Sequence, residues 1–302
     1  MKVLQSNERP ALSSLLILLG LVLIGMVVGS ILQILVMLPL TGVNNLSKIL
    51  TNPEDVPNAW LALILGQGLA SFVLFIGVGW LYWQVIERKP MSALNFKQLP
   101  KAYIFLFVVI IQVCFLPFNS WLQTINSEMK LPKSMAGLEE FMKNMESQMG
   151  ELTGMMTNFS SIWQLFLAIL VIGIIAGVGE ELIFRGLVQR KLWLGTGNIH
   201  IAIWGAAFIF SFIHFQFYGF LPRMLLGALL GYLYFWTGNL WVSIFAHAFN
   251  NSFAVVMIYL ENHEIISPDL EKMENVPFQA VIISLVLTLV LLFYFRKLVE
   301  QV

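Results

Sequence analysis

Residues 15–40 carry no ionisable side chain. A run of that length leaves few structural options. About 20 consecutive apolar residues cross the hydrocarbon core of a bilayer as a helix, and a helix or a closed barrel is needed there to satisfy the backbone. Seven further apolar stretches follow, at about residues 60–85, 102–122, 161–178, 199–217, 222–236, 240–260 and 278–295. With a first span at about 14–38, the expected fold is an all-α polytopic membrane bundle of about eight helices. The fourth helix is expected to continue through Glu180 to Lys191. Composition agrees, at 58% hydrophobic and 11% charged over 302 residues, where a soluble domain averages about 25% charged. A cleavable leader has an apolar core of about 7–15 residues, so 15–40 reads as a retained span.

Loop charge orients the bundle. The segments on one side hold Lys2, Arg9, Arg88, Lys89, Lys97, Lys101, Arg185, Arg190, Lys191, Arg296 and Lys297. The other side holds Lys48, Lys130, Lys133, Lys143, Arg223 and Lys272, the smaller share of the 17 basic residues. Cytoplasmic loops are enriched in Lys and Arg, so both termini are expected inside. The acidic loop with Glu261, Glu264, Asp269, Glu271 and Glu274 then falls outside. The expected location is the bacterial inner membrane, with the lipid bilayer as constant partner. Net charge is zero, which gives no basic surface for nucleic acid. Cys114 is the only cysteine, which excludes an intrachain disulfide and a multi-cysteine zinc site.

The chain reads as one domain, 1–302. It comprises three N-terminal spans (14–125), an amphipathic helix (134–157), a core with the polar residues (160–260) and a last span (277–297). In the amphipathic segment Leu138, Phe141, Met142, Met145, Met149, Leu152, Met155 and Met156 recur every three or four residues, the helical period. It is expected to cover the bundle or to lie on the membrane surface.

Within that core, Glu180, Glu181 and Arg185 directly follow an apolar run in G-E-E-L-I-F-R-G. An ionisable group at a helix centre costs about 2.5–3.5 kcal/mol on insertion scales, so its presence points to use. Glu181 and Arg185 form an i,i+4 pair with Glu on the favoured side. Glu180 points about 100° away, towards a cavity in the simplest division; the reverse division stays open here. His214 and His247 lie in apolar surroundings on two other spans. Phe210 and His214 are four apart, as are His247 and Asn251, and each pair shares a helix face; Asn250 lies about 100° off that face. His200 is expected to snorkel at the interface, and His263 falls in the acidic loop. A carboxylate in an apolar site suits a general base. One histidine can position a water, and another with a carboxamide can donate to an oxyanion. Glu180, His214 and His247 are also a zinc ligand set by residue type.

The motifs E-E-x-x-x-R at Glu180, Glu181 and Arg185, F-x-x-x-H at Phe210 and His214, and H-x-x-x-N at His247 and Asn251 occur in that order. Together they resemble the CAAX prenyl endopeptidase and bacteriocin-processing family, also called CPBP or Abi, over about 160–260. The resemblance implies a membrane-embedded endopeptidase acting on a lipidated or membrane-embedded protein or peptide. It implies that Glu180 activates water with the help of His214, that His247 and Asn251 form the oxyanion hole, and that Glu181, Arg185 and Phe210 support the site. The family was first classed as metallopeptidases, and a metal-free glutamate mechanism is the other view of it. No cofactor is favoured here, and zinc is the alternative. Two other functions compete: a non-enzymatic bacteriocin self-immunity or scaffold protein, in which the polar cluster braces the bundle, and a transporter. The internal repeats that would support a transporter are not found in the sequence.

Overall fold

A computed structural model describes residues 8–50, 53–96, 98–159, 161–266 and 276–300. Lys2, Lys97, Asp269, Glu271, Lys272 and Glu274, used above to orient the bundle, lie outside them. Among the described residues there is no strand. The long helices are α1 (Ala11–Thr41), α2 (Ala59–Ile86), α3 (Ala102–Ser127), α4 (Ala136–Thr157) and α5 (Ile162–Thr196). Then come α6 (Ile199–Phe212), α7 (Phe220–Thr237), α8 (Leu240–Asn262) and α9 (Phe278–Glu300). The helical bundle read from the apolar runs is therefore the observed architecture. Among the described residues six helices are long and apolar enough to cross a membrane: α1, α2, α3, α5, α8 and α9. They show apolar side chains outward, such as Leu16, Leu23 and Ile24 on α1 and Ile283, Val286 and Leu289 on α9. The other two of the eight expected stretches form the shorter α6 and α7, of 14 and 18 residues.

The fifth stretch departs from expectation. Instead of running to 217, its helix stops at Phe212. His214 lies in the turn that follows, and Phe215 takes a left-handed backbone at φ 53°. Backbone that leaves the helix inside an apolar bundle needs hydrogen-bond partners, and α3 and α4 supply them. Asn126 donates through Nδ2 to the Phe217 carbonyl at 3.1 Å and accepts through Oδ1 from the Leu221 amide at 2.7 Å. Gln123 Nε2 donates to the Tyr218 carbonyl at 3.0 Å. The Tyr218 amide donates to Glu146 of α4 at 3.3 Å. The amphipathic helix thus covers the bundle at this turn. Trp60 fixes its far end, donating through Nε1 to the Met156 carbonyl at 2.9 Å.

Helix α5 is the centre of the fold. It packs on α8 through small residues, as membrane helices do where backbones must approach. A Cβ at Gly177 would come within 3.0 Å of the Ala248 amide nitrogen, and one at Gly173 would overlap Ser252 Oγ. Two π-helical stretches, Ile169–Ile175 and Leu182–Gln189, flank the regular turn that carries the glutamates. Such interruptions of the i→i−4 ladder are frequent at functional sites.

The end of α5 is clamped by buried charges. Glu8 accepts from Arg190 Nε at 2.8 Å and Lys191 Nζ at 3.0 Å, and pairs with Lys89 at 3.4 Å. Glu87 accepts from Lys191 Nζ at 2.6 Å and from the Tyr82 hydroxyl at 2.7 Å. Burial alone would raise the Glu8 carboxyl, but Arg190 and Lys191 hold it below its ordinary 4.5. Glu87 is likewise lowered, with Lys191 and Tyr82 outweighing burial. A lowered folded-state value stabilises the fold above the unfolded-state value, and that contribution is lost as pH falls through the folded one. Melting temperature in detergent is therefore expected to hold from pH 7 down to about 5 and to fall below about 4.5. Glu8→Gln should flatten that acid slope; an unchanged slope would remove the clamp as its cause.

Candidate active site

Three elements bring the motif residues together. Glu180 and Glu181 come from α5, His214 from the turn after α6, and His247, Asn250 and Asn251 from α8. Glu180, His214, His247, Asn250 and Asn251 line one cavity of about 250 Å³, with Phe210, Asn119, Gln123, Arg223 and Leu226 among its other walls.

The two adjacent carboxylates have different surroundings. Glu181 is fully buried and accepts from Arg185 Nη1 at 2.6 Å. Arg185 also donates through Nη2 to the Gly227 carbonyl of α7 at 2.7 Å, and its guanidinium lies 5.2 Å from the Phe210 ring centroid. Among the described residues Glu180 pairs with no arginine or lysine; it faces the cavity, with Oε2 3.6 Å from His247 Nε2. Of the two divisions left open by the sequence, the structure has Glu181 on Arg185 and Glu180 on the cavity.

Both ring orientations follow from their partners. His214 Nδ1 lies 2.7 Å from the Phe210 carbonyl. A carbonyl only accepts, so Nδ1 carries the proton and the neutral ring keeps an acceptor at Nε2. His247 Nδ1 lies 2.8 Å from Glu181 Oε1, which fixes the ring with Nε2 towards Glu180. Phe210 packs edge-on against both rings, with centroids at 5.0 Å from His214 and 5.7 Å from His247. Asn251 donates through Nδ2 to the Ile172 carbonyl within the first π stretch, at 3.1 Å. Asn250 Nδ2 donates to Asn251 Oδ1 at 3.3 Å. His200 is exposed and bonds the Tyr232 hydroxyl at 2.8 Å, and His263 bonds the Tyr259 carbonyl at 2.8 Å; both lie outside the cavity lining.

Four polar lining residues are not assigned to the site by the sequence. Asn250 is about 100° from Asn251 but only three residues from His247, and i,i+3 positions share a helix face, so it lines the same cavity. Arg223 was counted in an outer loop but sits in the first turn of α7. Asn119 and Gln123 are an i,i+4 carboxamide pair on α3, and that spacing was the available signal.

A catalytic zinc takes three protein ligands. Among the described residues no group of three or more His, Cys, Asp or Glu side chains gathers closely enough to hold a metal ion. Glu180, His214 and His247 share the cavity.

Residues 162–253 match the family model described as "Type II CAAX prenyl endopeptidase Rce1-like". All seven motif residues, from Glu180 to Asn251, fall inside that match. Two curated proteins of Bacillus subtilis (strain 168) are similar. "Uncharacterized protein YpbD" is 34% identical over 83 residues, 26% of this chain and 39% of its own length. "Putative membrane peptidase YdiL" is 34% identical over 91 residues, 30% of this chain and 37% of its own length. The chain thus spans less than half the length of either relative. No solved structure matches.

Proposed function

We propose, from the premise that residues 162–253 are an Rce1-like region of the type II CAAX prenyl endopeptidase family in a multi-pass membrane protein, that the chain hydrolyses a peptide bond in a lipidated or membrane-embedded protein or peptide. The observation that carries this reading is the division of the glutamates. One is neutralised by Arg185 and orients a histidine, and the other stands free in the cavity beside that histidine.

The reaction runs on this chain's own groups. A water lies between Glu180 and His214 Nε2. Glu180 takes its proton as the water oxygen bonds to the substrate carbonyl carbon. The carbonyl oxygen becomes an oxyanion and accepts from His247 Nε2 and from the second N–H of Asn251 Nδ2. With Glu181 accepting from Nδ1, His247 donates from Nε2 as imidazolium. Glu180, Glu181, Arg185 and His247 then sum to no net charge. The C–N bond breaks as Glu180 returns the proton to the leaving nitrogen. Asn250 holds Asn251 in register.

Membrane peptides from cells carrying the wild type and the Glu180→Gln variant test the reading. A membrane species is expected to lose a fragment only with the wild type. Coincident peptide profiles would overturn hydrolysis and leave the polar cluster as a brace, the scaffold alternative. The reading is also metal-free. Activity of purified protein is expected to persist in a zinc chelator, with no stoichiometric metal by elemental analysis. Chelator-sensitive activity restored by zinc would overturn that part alone.

A further inference from the structure

The cavity reaches towards one end of the bundle only. Glu180 and His247 sit partway along α5 and α8, and the other polar walls lie to one side of them. Gln123 falls in the last turns of α3, and Gly219 and Arg223 lie at the start of α7. Gln123 is exposed, so the lining reaches the surface at this end. The turn of residues 213–219 and α4 form the rim, tied together where the Tyr218 carbonyl accepts from Gln123 and the Tyr218 amide donates to Glu146. The opposite end is closed. Phe184, Leu187, Tyr234, Leu240 and Ile244 are buried in one apolar cluster between the reacting groups and the Glu8 clamp. Among the described residues, nothing from the loops at that end lines the cavity.

Charge tells the two ends apart. Arg9, Lys89, Arg190 and Lys191 lie in or beside the clamp. Arg88 and Lys101 flank α2 and α3 at that end, and Arg296 and Lys297 fall in the last turns of α9. Those turns belong to the same end, because Phe295 packs on Phe107 near the start of α3, with ring centroids at 5.8 Å. The open end has fewer basic residues among the described ones: Lys48, Lys130, Lys133 and Lys143, besides Arg223 in the cavity wall. Lys and Arg concentrate on the cytoplasmic side of a membrane protein. By that rule the clamp is cytoplasmic and the open end faces out.

Resting on the hydrolytic reading above, we propose that the cavity opens on the outer face of the membrane, beneath α4, and takes its substrate from there, as a polypeptide segment exposed on the outer side. An extended peptide carries unpaired backbone groups and needs a polar path to Glu180. Gln123, Arg223 and the Tyr218 turn provide one from outside. From the cytoplasm the same peptide would have to cross the buried apolar cluster under the clamp.

The test uses the full-length protein in cells and a membrane-impermeant maleimide, with Cys114 replaced by Ala throughout. Single cysteines are placed at two exposed serines, Ser147 on α4 and Ser92 in the turn Met91–Leu94 at the clamp end, and at Gln123 in the cavity. In intact cells Ser147→Cys and Gln123→Cys are expected to label, and Ser92→Cys only after the cells are opened. The membrane species whose cleavage requires Glu180 should stop being cleaved in proportion to labelling at Gln123→Cys. Melting temperatures are measured alongside; if Gln123→Cys does not fold, Tyr218→Cys replaces it, since the Tyr218 bonds to Gln123 and Glu146 are made by its backbone. Labelling of Ser92→Cys in intact cells, or of Ser147→Cys only in opened ones, would overturn the proposal. So would a folded Gln123→Cys protein that labels from neither side, or cleavage that persists once it is fully labelled. An absence of Glu180-dependent cleavage in every strain would remove hydrolysis instead, and the labelling pattern would still decide which side the cavity faces.

Discussion

Glu180→Gln is expected to lower kcat for peptide hydrolysis by about 10²–10⁴-fold, the usual contribution of a positioned general base, while leaving the melting temperature nearly unchanged. The substitution keeps shape and removes only the ability to take a proton. It should be tolerated because Glu180 is not locked into the fold: its nearest charged contact is His247 at 3.6 Å, and it faces the cavity. Glu181→Gln is the informative contrast. It also lowers kcat, because His247 loses the acceptor that orients it at 2.8 Å. It lowers stability as well, because Arg185 loses its partner. The proposed mechanism splits the two adjacent glutamates, one taking the proton and the other orienting His247 and pairing with Arg185. Purified Glu180→Gln protein that kept more than about a tenth of wild-type kcat would show that another group takes the proton.

Much of the architecture was legible because membrane helices are written in long apolar runs; α1, α2, α3, α8 and α9 begin and end near the edges of theirs, while α5 runs on past its run through the glutamates to Thr196. The end of α6 was not legible. Apolar residues continue through Phe215 and Phe217, and what stops the helix is the hydrogen bonding of the turn by Asn126, Gln123 and Glu146, which are distant in sequence. The pairing of Glu181 with Arg185 was legible because both lie on one helix at i,i+4. The link from Glu181 to His247 was not, since it depends on Gly173 and Gly177 letting α8 approach α5. Arg223 was misread for a related reason: loop counting assigns charge by position between apolar runs, whereas α7 begins early enough to draw that arginine into the cavity wall. The buried clamp of Glu8, Glu87, Arg190 and Lys191 likewise joins three distant segments that read singly as ordinary interfacial charge.

Arg185→Met is expected to destabilise the protein by about 3–5 kcal/mol, the cost of removing one partner of a buried ion pair, as measured by unfolding in detergent. Arg185 is 1% exposed and Glu181 fully buried. The substitution removes the 2.6 Å contact to Glu181, the 2.7 Å bond to the Gly227 carbonyl and the cation above Phe210. The largest part of the loss should come from the orphaned carboxylate, whose Oε2 already lacks a partner. That attribution is separately testable. Adding Glu181→Gln to Arg185→Met removes the orphaned charge and should recover a measurable part of the lost stability, a coupling expected of residues in direct contact. Activity should not recover with it. In the double variant His247 faces a neutral amide in place of the carboxylate that fixed its Nδ1 proton, so the donor to the oxyanion stays weakened in a refolded protein. If the double variant is no more stable than Arg185→Met, the bond from Arg185 to α7, and not the charge of Glu181, is what holds this part of the bundle together.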